Sequence, residues 1–199
     1  SPGVWTLLGG ANCEGEMADG LLGLSEHVDR VFAGESEASF SRFLDELKGD
    51  ALGARPEVLR GSPCQDLDAL PAPVFDDYFE QLEAWLPEMK EGPLWLSYET
   101  SRGCWWGGKR HCTFCGLNGL GMGFRKKSPE RVLADLAPML ERYPTPYVCM
   151  TDNIMPHEYH RSLIPRMEAE LPEAHLFYEQ KANLTLPQVE GMYRAGIKV

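Results

Sequence analysis

The sequence predicts an α/β fold in two parts: the last portion of a doubly wound sheet in residues 1–50, then strand–helix repeats from residue 93 onward. Three observations carry this. Short apolar runs near the start close on glycine, as buried strands do where they enter a turn. The stretch after the second run spaces its apolar residues at i, i+3, i+4 and i+7. From residue 93, apolar runs and helical stretches alternate regularly, which builds a parallel sheet, open or closed into a barrel.

The elements follow in order. VWTLL (4–8) reads as a strand ended by Gly9 and Gly10, and VDRVFAG (28–34) as a second strand ended by Gly34. Between them lies a weaker segment. Residues 36–48 read as a helix capped by Ser36, with Phe40, Phe43, Leu44 and Leu47 on one face. Residues 51–92 read as a linker with a helix: the stretch to residue 74 is rich in Pro, Gly and Asp, and 75–90 has helical spacing.

PLWLSYE (93–99) is the first strand of the second part, and a cysteine-rich loop follows it. Residues 128–143 form a helix with Ser128 as N-cap, Pro129 at the first helical position, and Val132, Leu136, Leu140 and Tyr143 on one face. Then come a strand (146–151), a helix kinked at Pro165 (157–171), a strand (175–179) and a helix closed by Gly196 (186–196). Residues 197–199 begin a further strand. The chain opens without Met and stops inside that strand, so it is expected to be an excerpt of a longer protein.

Composition bounds the function. The 199 residues are 43% hydrophobic and 25% charged, as in ordinary globular proteins. No run of roughly 18 apolar residues and no secretory signal is present, so a cytoplasmic protein without a membrane span is expected. The net charge of −11 argues against nucleic-acid or acidic-membrane partners. Charge is uneven, however. Residues 101–131 hold Arg102, Lys109, Arg110, Arg125, Lys126, Lys127 and Arg131 against Glu130 alone. That window is either a solvated loop or a region that handles an anion.

The six cysteines fall at 13, 64, 104, 112, 115 and 149, three of them spaced Cys-x7-Cys-x2-Cys. A Cys-x2-Cys pair brings two sulfurs to one metal or cluster, and a loop with Gly103, Gly107 and Gly108 lets a third fold back. Structural zinc wants four ligands, yet His111 adjoins Cys112, so their side chains diverge. A ferredoxin-like carrier also wants four cysteines. Three ligands on a four-iron cluster leave one iron open to a substrate or cofactor. A zinc-stabilised binding module and an electron-transfer protein remain the alternatives.

The segments ETSRGCWWGGKRHCTFCGLNG, FRKKSPERVL, TDNIMP and FYEQKANL occur in this order. Together they resemble the radical S-adenosylmethionine enzymes, and within them the cobalamin-binding proteins that mature ribosomally made peptides. The x7 gap departs from the family's usual x3. The resemblance covers residues 93–199 and implies the first half of a partial (β/α) radical S-adenosylmethionine barrel. It also implies a [4Fe-4S] cluster on Cys104, Cys112 and Cys115, with S-adenosylmethionine chelated to its open iron. Phe114 would lie near the adenine. Asp152 and Asn153 would stand where the family contacts the methionine amino group, although the Asp-Asn pair departs from its pattern. Glu179 and Lys181 would face the same pocket. The implied partners are a peptide substrate and an external electron donor, and methyl transfer is the implied outcome where cobalamin is bound.

Residues 1–50, through LLGGANC and VDRVFAGESEASF, resemble the C-terminal part of a cobalamin-binding domain, in which Gly9, Gly10, Gly34 and Glu35 would line the groove for the nucleotide tail. The Asp-x-His-x-x-Gly segment of such domains does not occur in these residues. His157, Glu158 and His160 are one residue short of a zinc-protease spacing and read as a solvated helix start. Trp105 and Trp106 would shield the cluster, contact a peptide, or pack the loop.

Overall fold

The computed structural model describes residues 4–198 except 25, 50, 52, 54, 55 and 117–121, and leaves out the side chains of 90 and 91. The chain forms two compact units, the first ending at Gln65 and the second beginning at Asp66. It is mixed α/β with small parallel sheets. Among the described residues no helix is long and apolar enough to cross a membrane.

The first unit contains β1 (Leu7–Leu8), α1 (Glu16–Leu24), β2 (Arg30–Ala33), α2 (Glu37–Lys48) and β3 (Glu57–Arg60). Its strands are parallel in the order β1-β2-β3. The central strand β2 is buried throughout. Its alternation sends Val31 and Ala33 to a cluster with Ala18 and Leu21 of α1. Phe32 packs edge-on against Phe40 and Phe43 of α2. The three-stranded sheet thus carries a helix on each face.

Two expectations need correction here. The weak segment before residue 28 contains α1, whose Gly20 and Gly23 lower its intrinsic propensity, so packing against β2 holds it. The predicted linker contains β3, a half-exposed edge strand that β2 templates by pairing Arg30–Ala33 with Glu57–Arg60. With β3 included, the first unit extends to Gln65.

The second unit opens with α3 (Asp76–Trp85) and the strand β4 (Trp95–Tyr98). Two short strands, β5 (Ser101–Arg102) and β6 (Arg125–Lys126), pair antiparallel and bracket the cysteine loop. Next come α4 (Pro129–Arg142), β7 (Tyr147–Met150), α5 (Tyr159–Ser162), α6 (Ile164–Glu170), β8 (His175–Phe177) and α7 (Leu186–Arg194). The expected kink is a full break: Pro165 sits in the first turn of α6, where its missing N–H removes no helical bond. Ser128 caps α4 by accepting from the Arg131 N–H at 3.1 Å.

The main sheet is parallel, in the order β4-β7-β8, and Ile197 bridges Leu176 in parallel at its edge. Leu96, Tyr98, Val148, Met150 and Leu176 bury one face against Val132, Leu136, Met139, Met167 and Met192 of the helices. The other face carries Trp95, Tyr147 and His175 as a row of rings 5.0–5.1 Å apart, and Trp95 is exposed. Parallel sheets are ordinarily covered on both faces. Here, among the described residues, helices cover one.

Candidate functional site

The C-terminal ends of β4 and β7 meet through a buried carboxylate. Asp152, 2% exposed, accepts from the Thr100 N–H at 2.7 Å, the Thr100 hydroxyl at 2.5 Å and the Ser101 hydroxyl at 2.6 Å. The single Thr100 hydroxyl proton goes to Asp152, so the Tyr178 hydroxyl, 3.1 Å away, donates to Thr100. Burial pushes the Asp152 carboxyl above its ordinary range, and the Ser101 and Thr100 hydrogen bonds pull the other way. In this structure Asp152 ties strand ends together, and its oxygens are turned to those donors rather than outward to a ligand. Asn153 beside it is exposed.

Beneath this lies a second buried polar group. The Lys127 ammonium, 3% exposed, donates to the Tyr98 hydroxyl at 3.1 Å and to Asp135 at 3.2 Å. Tyr98 donates to the same carboxylate at 2.7 Å, and Arg131 pairs with it at 2.8 Å. Tyr159 donates to the Lys127 carbonyl at 2.6 Å. Burial raises the Tyr98, Tyr159 and Tyr178 phenols well above their usual range, with Asp135 adding to the first and Asp152 to the other two. All three therefore stay protonated donors. Arg102 pairs with Glu99 at 2.8 Å and Lys126 with Glu158 at 2.7 Å. Most of the basic window is thus neutralised by partners scattered from Glu99 to Glu158.

The cysteine loop leaves β5 at Gly103, whose φ of 76° and whose approach to the returning chain exclude a side chain. A Cβ there would stand 2.4 Å from the Gly123 carbonyl oxygen. A turn then wraps Cys104: the Gly107 N–H donates to its sulfur at 3.2 Å, and the Gly108 N–H to its carbonyl at 2.9 Å. Cys112 and Cys115 share a tight turn, closed by the Cys115 N–H on the Cys112 carbonyl at 3.0 Å. All three thiols are free and half-buried. Among the described residues no three His, Cys, Asp or Glu side chains converge as a metal site. The structure brings the three cysteines onto one loop without closing them into a cage.

Two tryptophans fix that loop to the strand ends. The Trp105 indole N–H donates to the Met155 carbonyl at 3.0 Å. The Lys181 ammonium lies 3.3 Å from the centre of the Trp106 ring. Glu179 is exposed, and its backbone carbonyl accepts from the Met155 N–H at 2.9 Å. Phe114 is 91% exposed and stacks on no ring among the described residues. In the first unit, Gly10 and Gly34 take positive φ at the ends of β1 and β2. Gly9 follows β1 directly, and Glu35 uses its carboxylate to accept from the Cys64 N–H at 2.7 Å.

Beside the loop is a cavity of about 410 Å³, lined by Trp105, Lys109, Phe124, Lys126, Glu158 and Lys181, with Pro156, His157 and Asn183 completing it. A smaller recess of about 20 Å³ adjoins it along Trp105, His157, Lys181 and Asn183, and Gln180 lines this recess. The Gln180 Nε2 is buried without a hydrogen-bond partner among the described residues. The sequence singled out Lys109 through the basic window but not Thr100, Ser101, Tyr178, Phe124 or Asn183. The one available signal was position, since Thr100, Ser101 and Tyr178 lie at strand ends, Phe124 in the cysteine loop and Asn183 in the connection after β8. His157 and His160 stack 5.7 Å apart, with Trp105 5.9 Å from His157.

No family model, no curated protein and no solved structure matches this chain.

Proposed function

We propose that this chain is part of a radical S-adenosylmethionine enzyme that modifies a ribosomally made peptide, with Cys104, Cys112 and Cys115 as ligands of a [4Fe-4S] cluster. On this reading residues 93–199 are the first half of a radical S-adenosylmethionine barrel, and the first unit is the C-terminal part of a cobalamin-binding domain. The reducing cytoplasm is its setting, and an external electron donor its partner. The observation that carries the reading is three free, half-buried thiols on the loop after the first strand of a parallel β/α series. The open sheet face with Trp95, Tyr147 and His175 supports it too, because a barrel turns such a face inward.

The residues present fit the group by chemistry. Thiolates are the ligands of iron–sulfur clusters, and the Gly107 N–H already donates to the Cys104 sulfur. Glycines at 103, 107 and 108 let backbone approach an inorganic core. Closure of the loop belongs with binding, since metal sites are rarely formed in full beforehand. When bound, such a cluster supplies the electron that cleaves S-adenosylmethionine to a 5′-deoxyadenosyl radical.

The chain's own residues hold and orient. Asp152, Thr100 and Ser101 fix the strand ends below the loop. Lys181 and Met155 hold the two tryptophans above it. Glu179 and Asn153 stand exposed after β8 and β7.

Anaerobic iron and sulfide analysis tests the reading. About four irons per chain are expected after reconstitution. Cys112→Ala should abolish both iron retention and cofactor cleavage in the full-length protein. Stoichiometric zinc without iron would instead indicate a zinc-stabilised binding module. A full cluster that never cleaves the cofactor would indicate an electron carrier.

A further inference from the structure

We propose that the cavity beside the cysteine loop recognises a side-chain carboxylate of a bound peptide, an aspartate or glutamate flanked by an apolar residue. In a chain of net charge −11, three lysines, 109, 126 and 181, line one cavity of about 410 Å³. Among the described residues Glu158 is the one carboxylate in its walls, and it pairs with Lys126 at 2.7 Å. Lys109 is exposed and has no ion pair among the described residues. Lys181 rests on the Trp106 ring and has no ion pair among the described residues. The cavity therefore carries a local positive excess, and low-dielectric walls focus such a field.

The walls also set the shape of the occupant. Trp105 and Phe124 offer apolar surface next to the lysines. In the adjoining recess, Gln180 Nε2 is a buried donor without an acceptor among the described residues. Leaving a buried donor unpaired is costly, so an incoming carbonyl or carboxylate oxygen gains there. A few convergent polar groups on an apolar wall, in a volume of this order, describe a site for one or two side chains. Negative charges more than a Debye length from the cavity are screened there, so the attraction of its own lysines acts at short range despite the net charge. That the acid belongs to a peptide rests on the proposed function; that it is an anion rests on the cavity alone.

The test titrates the isolated chain, without iron or S-adenosylmethionine, with the blocked peptide acetyl-Leu-Glu-Glu-Leu-amide and with its Gln-Gln counterpart, followed by calorimetry. The Glu peptide should bind about tenfold more tightly at low salt, the worth of one charge-assisted contact. The advantage should shrink as salt rises. Lys109→Gln and Lys126→Gln should each weaken it. Glu158→Gln should strengthen it by removing the competing carboxylate, a gain that misfolding cannot produce.

Equal affinity for the two peptides, no binding of either at millimolar concentration, or no gain in Glu158→Gln overturns the proposal. Glutarate binding as tightly as the Glu peptide would reassign the cavity to a small acid. Displacement of the peptide by S-adenosylhomocysteine would reassign it to the cofactor. Because the assay needs no cluster, failure of the iron analysis leaves this result standing, and failure here leaves the iron analysis standing.

Discussion

The ammonium of Lys181 stands 3.3 Å from the centre of the Trp106 ring, joining the chain just beyond β8 to the middle of the cysteine loop. The loop's other fastening is the Trp105 indole on the Met155 carbonyl. Both anchors belong to segments that follow parallel strands, so the sheet holds the loop although the loop has little regular structure of its own.

Removing the Lys181 contact should loosen the loop without unfolding the unit. A cation–π contact of this kind contributes about 0.5–1 kcal/mol, so Lys181→Gln should open the loop roughly two- to fivefold more often. Tryptic cleavage after Lys109 and Arg110 reports it directly. An unchanged cleavage rate would mean that Trp105 alone holds the loop.

Asp152 has the role of a strand tie, and truncation tests it. Asp152→Ala leaves the Thr100 N–H and two hydroxyls without their acceptor, at an expected cost of about 2–3 kcal/mol in denaturant unfolding. A residue that only met a ligand would leave the unfolding midpoint in place.

Two groups give opposite pH slopes. Burial raises the Asp152 carboxyl in the folded chain, so its contribution to stability is complete below the unfolded carboxylate range near pH 4 and declines as pH rises through the folded value. Burial, then the nearby His157, lowers His160, so its contribution is present above the unfolded value of 6.5 and is lost as pH falls through the folded one. Unfolding measured from pH 4 to 8 should lose the first slope in Asp152→Asn and the second in His160→Gln.

The cysteines should divide by location. Cys112→Ala and Cys104→Ala are expected to lose bound iron, while Cys13→Ala and Cys64→Ala, in the first unit, should retain it. Iron loss on replacing Cys64 would contradict the assignment of ligands to one loop.

Gly61 is a position where a methyl group has no room. A Cβ would meet the Glu35 carbonyl oxygen at 1.6 Å, so Gly61→Ala should force the ends of β2 and β3 apart. Destabilisation of about 3 kcal/mol is expected for the first unit, with the second unaffected. Hydrogen exchange on Val31 and Phe32 against Val148 and Leu176 separates the two outcomes.

The rhythm of the second unit was readable because each element advertises itself locally. Ser128 and Pro129 mark the start of α4, and the apolar runs around β4, β7 and β8 lie where strands form. The elements that escaped are those whose stability comes from elsewhere. The β3 segment has four residues in Pro- and Gly-rich surroundings and becomes a strand because β2 supplies its hydrogen bonds. The α1 segment carries two glycines in its interior and becomes a helix because it covers Val31 and Ala33.

At the candidate site the division is sharper. Residue order alone determined the α/β alternation, the clustering of three thiols after one strand, and the basic window around them. Only the folded chain decided which charges are left to meet a ligand. Thr100 and Asp152 lie 52 residues apart, and Lys127 finds Asp135 across the top of α4. Periodicity is a property of neighbouring residues along a backbone. The partner of a buried polar group is set by which distant strand ends the sheet brings together, and desolvation makes that pairing obligatory.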